Sequence, residues 1–499
     1  MTLILGIDQG TTGTSALLLD ARGSVVAFRN VEVACRFPEP GRVEQEPEDL
    51  WDSVSRAVTA VLEGRNASRV AAIGLTNQRE TSLFWDRATG APLHRAIVWQ
   101  DRRTAGRCAE LRASGLEPLV TSKTGLLLDP YFSATKAEWM LMNVPGLAAR
   151  AAAGDALFGT VDAWLASRLA GVHATDVSNA SRTLLFDLAR LEWDEELCAL
   201  FSVPRACLPR VVDSAGVLGV TKGCGFLPDG IPIAGIAGDQ QAALFGQACF
   251  APGMAKGTYG TGAFVLLHTG GTPVFSRTRL LTTVAWRIAG ETTYALEGSA
   301  FVAGAAVQWL RDGLGLISSA NEIEALAASV PDTGGVVFVP ALAGLGAPHW
   351  RPEARGLLAG ITRGTTRAHV ARAVLEAIAL QNVDVLQAMA EDAGNIPPSA
   401  GCSRSLAGIA ELRVDGGAST NDLLMQLQAD VLGVRCVRPK VLETTALGAA
   451  YLAGLGAGLF ASTDELAKRW EEDRVFEPRM PAAEASALRR RYADAVRKA

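Results

Sequence analysis

No Cys-x-x-Cys pair occurs in this chain, and no histidine lies at metal-ligand spacing from any of its 8 cysteines. That leaves no cysteine-based metal or dithiol redox centre, and the thiols read as buried or incidental groups in a reducing compartment. An excess of positive charge is also missing. Lys and Arg total 47 against 52 Asp and Glu, a formal net charge of −5. Nothing there points to nucleic acid, and an anionic substrate would have to be held by a local rather than a global positive field. Long apolar runs are scarce. The stretch from Ala446 to Phe460 is interrupted by four glycines and falls short of the ~20 residues that cross a bilayer. It reads as a buried helix, and no membrane span is expected. The N-terminal Met-Thr-Leu-Ile-Leu-Gly-Ile-Asp carries no basic segment and no cleavage-type sequence. It is not a signal peptide, and the expected location is cytoplasmic.

What is present is 499 residues, 49% of them hydrophobic and 20% charged, an ordinary globular composition. That length exceeds one core and predicts two domains of roughly 200–250 residues. Leu3–Ile7 and Ala16–Asp20 are strand-length apolar runs joined by a Gly/Thr-rich turn, and Val25–Val33 could add a third strand. Pro47-Glu-Asp-Leu-Trp51 opens a helix, with Pro in the first turn and acids near its N-terminus. Val70–Leu75 is a further buried strand, so the organisation is α/β. A second series follows residue 250, with strands at 254–257, 263–268, 336–340, 412–414 and 434–438 and helices at 368–388, 421–432 and 445–455. The two series share a pattern. Gly10-Thr11-Thr12-Gly13-Thr14 and Gly257-Thr258-Tyr259-Gly260-Thr261 each precede an alanine and an apolar run. A duplicated strand–turn–strand unit would put two such turns on opposite walls of one cleft.

Several segments place reactive side chains at strand ends. In the first turn, glycines let backbone N–H groups approach an anion and threonine hydroxyls add donors beside Asp8. The turn is neither a Walker A loop nor a dinucleotide fingerprint, because no Gly-Lys-Thr/Ser ends it and a strand, not a helix, follows. A buried strand runs into Gly238-Asp239-Gln240-Gln241, where a helix begins. Asp239 fits an N-cap. It also fits a base that accepts a proton from a substrate hydroxyl, since a weak base suffices for phosphoryl transfer through a loose transition state. Arg79-Glu80 reads either as a surface ion pair or as a donor and acceptor for the hydroxyls of a small polyol. Trp99, Tyr131 and Phe264 are candidate apolar walls. Val414-Asp-Gly-Gly-Ala-Ser-Thr-Asn421 is a strand, a double-glycine turn and a helix start that suit a nucleotide.

Together these segments resemble one family, the FGGY carbohydrate kinases, and within it the glycerol-phosphorylating branch. The resemblance rests on Ile7–Thr12, Thr76–Thr81, Ile97–Gln100, Asp129–Phe132, Gly159–Asp162, Gly238–Gly246, Thr258–Gly262, Gly344–Pro348 and Val414–Gly417, and runs from about residue 4 to about 480. It implies two ribonuclease-H-like domains of the actin, hexokinase and Hsp70 ATPase type with a cleft between them. Residues 1–247 would carry the polyol site and first phosphate turn, and 248–499 the second phosphate turn and adenosine site. It implies ATP and Mg²⁺ as cosubstrate and metal, and glycerol as the acceptor. Asp239 matches the base, and Arg79, Glu80, Tyr131, Asp239 and Gln240 the polyol positions, with Trp99 and Phe264 as walls. Thr11, Thr12 and Gly13 match the first phosphate segment, Thr261 the second, and Gly304, Gln308, Gly417 and Asn421 the nucleotide positions. Asp8, with Asp239, would hold the metal. A homo-oligomer, dimer or tetramer, follows by analogy.

Three departures stand out. Ser15 occupies the place of a phosphate-reaching arginine, which predicts weakened ATP affinity, and Gly13 replaces a serine hydroxyl. The loop 221–230 lacks the Gly/Arg pattern that binds fructose 1,6-bisphosphate in some enteric relatives, so inhibition by that effector is not expected. The segment from Pro397 to Ala410 is longer than the family norm and reads as a surface loop. Two other functions remain open from the residues: a sister kinase acting on another small polyol or ketose, and a non-catalytic ATP-binding scaffold.

Overall fold

The computed structural model describes residues 2–394 and 408–499. The expected loop at 397–410 lies outside the described residues up to 407. Strands dominate the frame, and 13 of them form one continuous sheet. In the first half Leu3–Gln9 is central. It runs antiparallel to Gly13–Asp20, which pairs with Val25–Glu32, and parallel to Val70–Asn77, itself parallel to Pro232–Gly238. The second half repeats that order. Met254–Tyr259 is antiparallel to Ala263–Gly270, which pairs with Glu291–Ala300, and parallel to Glu411–Asp415 and then Cys436–Pro439. The halves meet where Ala215 bridges Ile288.

The strands that the apolar runs predict are all present; most are extended by one to three residues, but those expected at 25–33 and 336–340 are shorter, at Val25–Glu32 and Val337–Val339, and that expected at 434–438 is shifted to Cys436–Pro439, while both central strands are largely buried. Such near-continuous burial is what helices on both faces of a parallel sheet produce. The helix Thr444–Gly456, expected as buried, packs on the first half's sheet and against helix Asp239–Gly246. Glycines make that approach possible. A Cβ on Gly74 would lie 1.9 Å from Ala449 O, and one on Gly448 would lie 1.8 Å from Ala242 O. Arg367–Asp392 is long and apolar enough to cross a membrane, but it is a buried core helix here.

The duplication holds, but its register differs from the sequence echo. The first hairpin turns at Gly10–Gly13, closed by Gly10 N donating to Gly13 O at 2.9 Å, and the second turns at Gly260–Gly262, closed by Gly260 N donating to Gly262 O at 2.9 Å. Gly260 is therefore the counterpart of Gly10. Gly257 sits inside the strand, paired with Val265.

Candidate active site

The first hairpin turns at the edge of the sheet where Pro232–Gly238 also ends, since Gln9 and Gly238 both pair with Asn77. Asp239 follows that strand as the first residue of helix Asp239–Gly246, and the cap position belongs to Gly238, with φ −63° and ψ 152°. The N-cap role read from sequence is thus corrected. One step earlier in the chain, extended backbone places no Cβ at the cap, and Gly238 leaves room for the Arg79 side chain, whose Cδ would sit 2.6 Å from any Cβ there.

Arg79 and Glu80 are not a surface pair. Their side chains are 2% and 1% exposed. They occupy a tight turn in which Thr81 N donates to Arg79 O at 2.7 Å and Glu80 has φ +60°. An i→i+2 hydrogen bond around a left-handed central residue is a rare, strained γ-turn. It turns neighbouring side chains into one buried cluster. Glu297 accepts from Arg79 Nη1 at 2.5 Å and Nη2 at 2.9 Å, and from Arg182 Nη2 at 3.0 Å. Arg182 Nε donates to Glu80 at 2.7 Å. Asp239 Oδ1 lies 3.0 Å from Arg79 Nε, at the cluster's solvent end with 27% exposure. That contact is Coulombic, because the buried Nε–H makes no hydrogen bond. The partly open carboxylate, an acceptor with a solvent-facing side, is a ready place for a hydroxyl group. Burial pushes the Glu80 carboxyl up against the pull of Arg79 and Arg182. For Glu297 burial acts the same way, but Arg182 and Arg79 overcome it and hold the carboxyl down at about 2.

Aromatic rings wall this cluster. Tyr131 OH accepts from Arg79 Nη2 at 3.4 Å, and its ring meets Trp99 edge-on at 5.5 Å. Trp99 also meets Phe264 at 6.2 Å. Phe264 comes from the second half, so the wall closes across the cleft. Burial raises the Tyr131 phenol well above its ordinary value and keeps it protonated. Lys136 Nζ donates to the carbonyls of Tyr131 and Phe132, the former at 2.5 Å, which fixes the loop carrying the ring.

The first turn is tied to the same wall. Trp99 Nε1 donates to Thr11 Oγ1 at 2.8 Å, and Gln45 Nε2 donates to Thr11 O at 2.7 Å. Thr12 is exposed, and a Cβ on Gly13 would meet the Asn30 side chain at 3.0 Å. Ser15 accepts from Asn30 Nδ2 at 2.9 Å. Across the cleft, Thr261 O accepts from Ala303 N at 2.8 Å and Ala305 N at 3.0 Å, which seats Gly304 against the second turn. Gln308, one helical turn on, is exposed. Gly416 has φ +83°, and a Cβ on it would lie 2.7 Å from Tyr259 O, whereas Gly417 faces open space. Asn421 caps helix Asp422–Leu432 by accepting from Leu424 N at 2.8 Å. The structure therefore gathers Arg79, Glu80, Tyr131, Trp99, Phe264 and Asp239 into one cluster. Thr261, Gly304 and Gly417 form a separate group at the second turn.

Asp8, the last residue but one of its strand, has Oδ1 buried and without a partner. Burial, with the charge of Asp239 behind it, pushes its carboxyl up to about 8. Two neighbouring carboxylates, one with an orphaned oxygen, fit a hard divalent cation that takes few protein ligands and completes its shell with water and phosphate. No group of three or more His, Cys, Asp or Glu side chains suited to a metal occurs among the described residues.

Sequence reasoning missed Arg182, Glu297 and Lys256, and gave Gln241 and Asp415, which lie in the strand-end segments it singled out, no role of their own. Gln241 Oε1 accepts from Arg79 Nη1 at 3.1 Å, and its neighbour Gln240 drew attention instead. Lys256 Nζ reaches Gln240 from the second half. Nothing in the local sequence of Arg182, Glu297 and Lys256 distinguishes them from ordinary strand and loop polar groups.

Known proteins fit this geometry. The model for the N-terminal domain of the FGGY family of carbohydrate kinases matches residues 3–246, and that for its C-terminal domain matches residues 255–457. A glycerol kinase from Aromatoleum aromaticum is 57% identical over 100% of this chain and 99% of its own length. One from Myxococcus xanthus is 56% identical over 96% of this chain and 95% of its own. The crystal structure of Plasmodium falciparum glycerol kinase with ADP superposes with a TM-score of 0.91 at 35% identity, covering 100% of this chain and 98% of that one. A ligand-bound xylulose kinase from Lactobacillus acidophilus, at 22% identity and a TM-score of 0.88 over 100% of this chain and 98% of its own, shares the fold.

Proposed function

This chain belongs to the FGGY family of carbohydrate kinases, and from that premise we propose that it transfers the γ-phosphoryl group of ATP to glycerol. The products are ADP and sn-glycerol 3-phosphate. The observation that carries this reading is the partly open Asp239 carboxylate, 3.0 Å from Arg79 Nε at the solvent end of a buried charge cluster. That carboxylate offers an acceptor to a substrate hydroxyl, and the buried cluster behind it fixes where it points. The aromatic rings of Trp99, Tyr131 and Phe264 would cover the carbon skeleton, which small polyols expose between their hydroxyls.

Asp239 takes the proton of the terminal hydroxyl as its oxygen attacks the γ-phosphorus in line. The bond from that phosphorus to the bridging oxygen breaks, and ADP leaves with the electron pair. Backbone N–H groups of the turns at Gly10–Gly13 and Gly260–Gly262 would cradle the polyphosphate, with Thr11, Thr12 and Thr261 adding hydroxyls. Gly304, Gln308, Gly417 and Asn421 would receive the nucleoside. Asp8 and Asp239 would hold Mg²⁺, whose charge offsets that of the phosphates. We divide the chain at 247/248, so that the polyol site and one turn belong to the first domain. Closure of the second onto it excludes water, which would otherwise accept the phosphoryl group. The free thiols of the described cysteines suit a reducing, ATP-rich compartment, and we assign the activity to the cytoplasm.

The test is ADP release over a panel of polyols and ketoses, with Asp239→Asn as the diagnostic variant. Glycerol should give the highest kcat/KM, and the variant should lose roughly 10²–10⁴-fold in kcat. Near-normal turnover by Asp239→Asn would remove the base from the mechanism. Preference for a ketose would move the chain to a sister activity.

A further inference from the structure

Lys256 is fully buried in strand Met254–Tyr259 of the second half, yet its ammonium reaches the first half's Gln240. Its partners form a chain with a single possible hydrogen-bond direction. Asp415 Oδ1 accepts from Thr258 Oγ1 at 2.5 Å. The Thr258 hydrogen is thereby spent, so its oxygen accepts from Lys256 Nζ at 2.8 Å. A lysine ammonium has donors only, so it takes Gln240 by the carbonyl oxygen Oε1. The opposite orientation of that amide would aim N–H₂ at an ammonium. Asp415 is fixed in turn, because its other oxygen accepts from Gln247 Nε2 and Thr444 Oγ1, both at 2.7 Å. The amide nitrogen of Gln240 has no protein partner among the described residues, and it is the residue next to Asp239.

We infer that Lys256 is a positioning residue that locks the Gln240 amide with its N–H₂ toward the cleft, so that the substrate hydroxyl meeting Gln240 must act as an acceptor. This rests on the polyol reading of the pocket given above. It assigns a division of labour among hydroxyls. The one facing Asp239 gives up a proton, and the one at Gln240 receives a hydrogen bond. The lock is supplied by the half opposite to the one carrying Gln240. It also starts at Asp415, the residue before the Gly416–Gly417 turn, so the orientation of a polyol contact depends on a strand end that borders the second turn.

The experiment uses the full-length enzyme at pH 7, below the value of about 8 to which burial lowers the Lys256 ammonium. It compares fluoro and deoxy analogues of glycerol: 3-fluoropropane-1,2-diol against propane-1,2-diol, and 2-fluoropropane-1,3-diol against propane-1,3-diol. Fluorine accepts a hydrogen bond but cannot donate one, so a fluoro-over-deoxy preference in kcat/KM reports a protein donor at that position. The wild type should prefer the fluoro member of at least one pair by about fivefold, the size of one neutral hydrogen bond. In Gln240→Glu, which keeps an acceptor for Lys256 but loses the donor, one such preference should vanish. In Lys256→Met the same preference should fall toward one as the amide becomes free to flip. KM for glycerol should rise about five- to tenfold while KM for ATP stays within about twofold. A merely structural lysine would change stability and both KM values without touching the analogue preference. Lys256→Gln, which keeps a polar group in the buried site, carries the comparison if Lys256→Met loses its ADP-induced melting shift. Preferences at both pairs that survive the lysine substitution, or that survive Gln240→Glu, would overturn the inference. Failure of the wild type to phosphorylate glycerol would instead bring down the kinase reading beneath it.

Discussion

Replacing Glu297 by Gln isolates one member of the buried charge cluster with little change of shape. Glutamine is close to isosteric with a protonated glutamate, so the substitution asks what the ionised form contributes. Glu297 is 1% exposed and accepts three charge-assisted hydrogen bonds from Arg79 and Arg182. Its carboxyl is held down from 4.5 to about 2 even though burial opposes ionisation. At about 1.4 kcal/mol for each pH unit, the fold favours the ionised form by roughly 3 kcal/mol. That agrees with the ~3–5 kcal/mol lost when one partner of a buried pair is removed. A depressed carboxyl contributes stability that is present above about pH 4.5 and lost as pH falls through about 2, so the full effect is expected at pH 7. The urea dependence grows with the surface exposed on unfolding and should exceed the ~3 kcal/mol per molar of small proteins in a chain of 499 residues, so the unfolding midpoint of Glu297→Gln should fall by roughly 0.5 M. The gap from wild type should narrow as the pH is lowered toward 2. KM for glycerol should rise as well, because Arg79 loses the carboxylate that aims it. An unchanged midpoint with an unchanged KM would refute the claim that the arginines stabilise an ionised Glu297.

Asp8→Asn should raise the Mg²⁺ concentration needed for half-maximal rate by about tenfold or more while leaving the fold intact. A magnesium titration of the variant that overlays wild type would remove Asp8 from the metal site. Ser15→Arg should lower KM for ATP, by roughly tenfold if the guanidinium makes a charge-assisted contact with phosphate. An unchanged or higher KM would refute the reading of Ser15 as a lost contact. Gly416→Ala should lower the melting temperature, since φ is +83° and the added Cβ would meet Tyr259 O at 2.7 Å. Gly417→Ala, which faces open space, should leave melting unchanged and weaken ADP binding measured by calorimetry. Reversed behaviour of this pair would misplace the nucleotide surface.

Much of the frame was legible because it is written locally. Strand ends followed by glycine and threonine mark Asp8, Asp239 and Gly416–Gly417 without any knowledge of what lies opposite. The paired Arg79 and Glu80 were legible as chemistry but not as a buried pair. Their burial depends on Arg182, 102 residues from Glu80, and on Glu297, 218 residues from Arg79. In isolation each of those two residues is an ordinary charge in a loop or a strand. Only the sheet connecting the halves makes them complementary, and an isolated buried charge would be prohibitive without that complement. Tyr131 was legible for a simpler reason. The Asp129-Pro-Tyr-Phe132 sequence reads as a loop, and the helix begins only at Ser133, so the ring is presented from that loop.

The misjudged register of the duplication shows where composition and position part company. Asp8 stands two residues before Gly10, and the residue two before Gly260 is Thr258, which carries no charge. In the second half the carboxylate has moved to the neighbouring strand, where Asp415 pairs with Thr258 and accepts its hydroxyl hydrogen at 2.5 Å. The strand of Thr258 also carries Lys256, and through both residues Asp415 reaches Gln240. A carboxylate left unpaired at one hairpin, with Oδ1 orphaned, is suited to a cation. A carboxylate fully paired at the other hairpin is suited to holding protein in place. The two halves have thus kept one topology while dividing its chemistry. The first half keeps a charge free for ligand, and the second has turned the corresponding charge into scaffolding that orients a residue of the first.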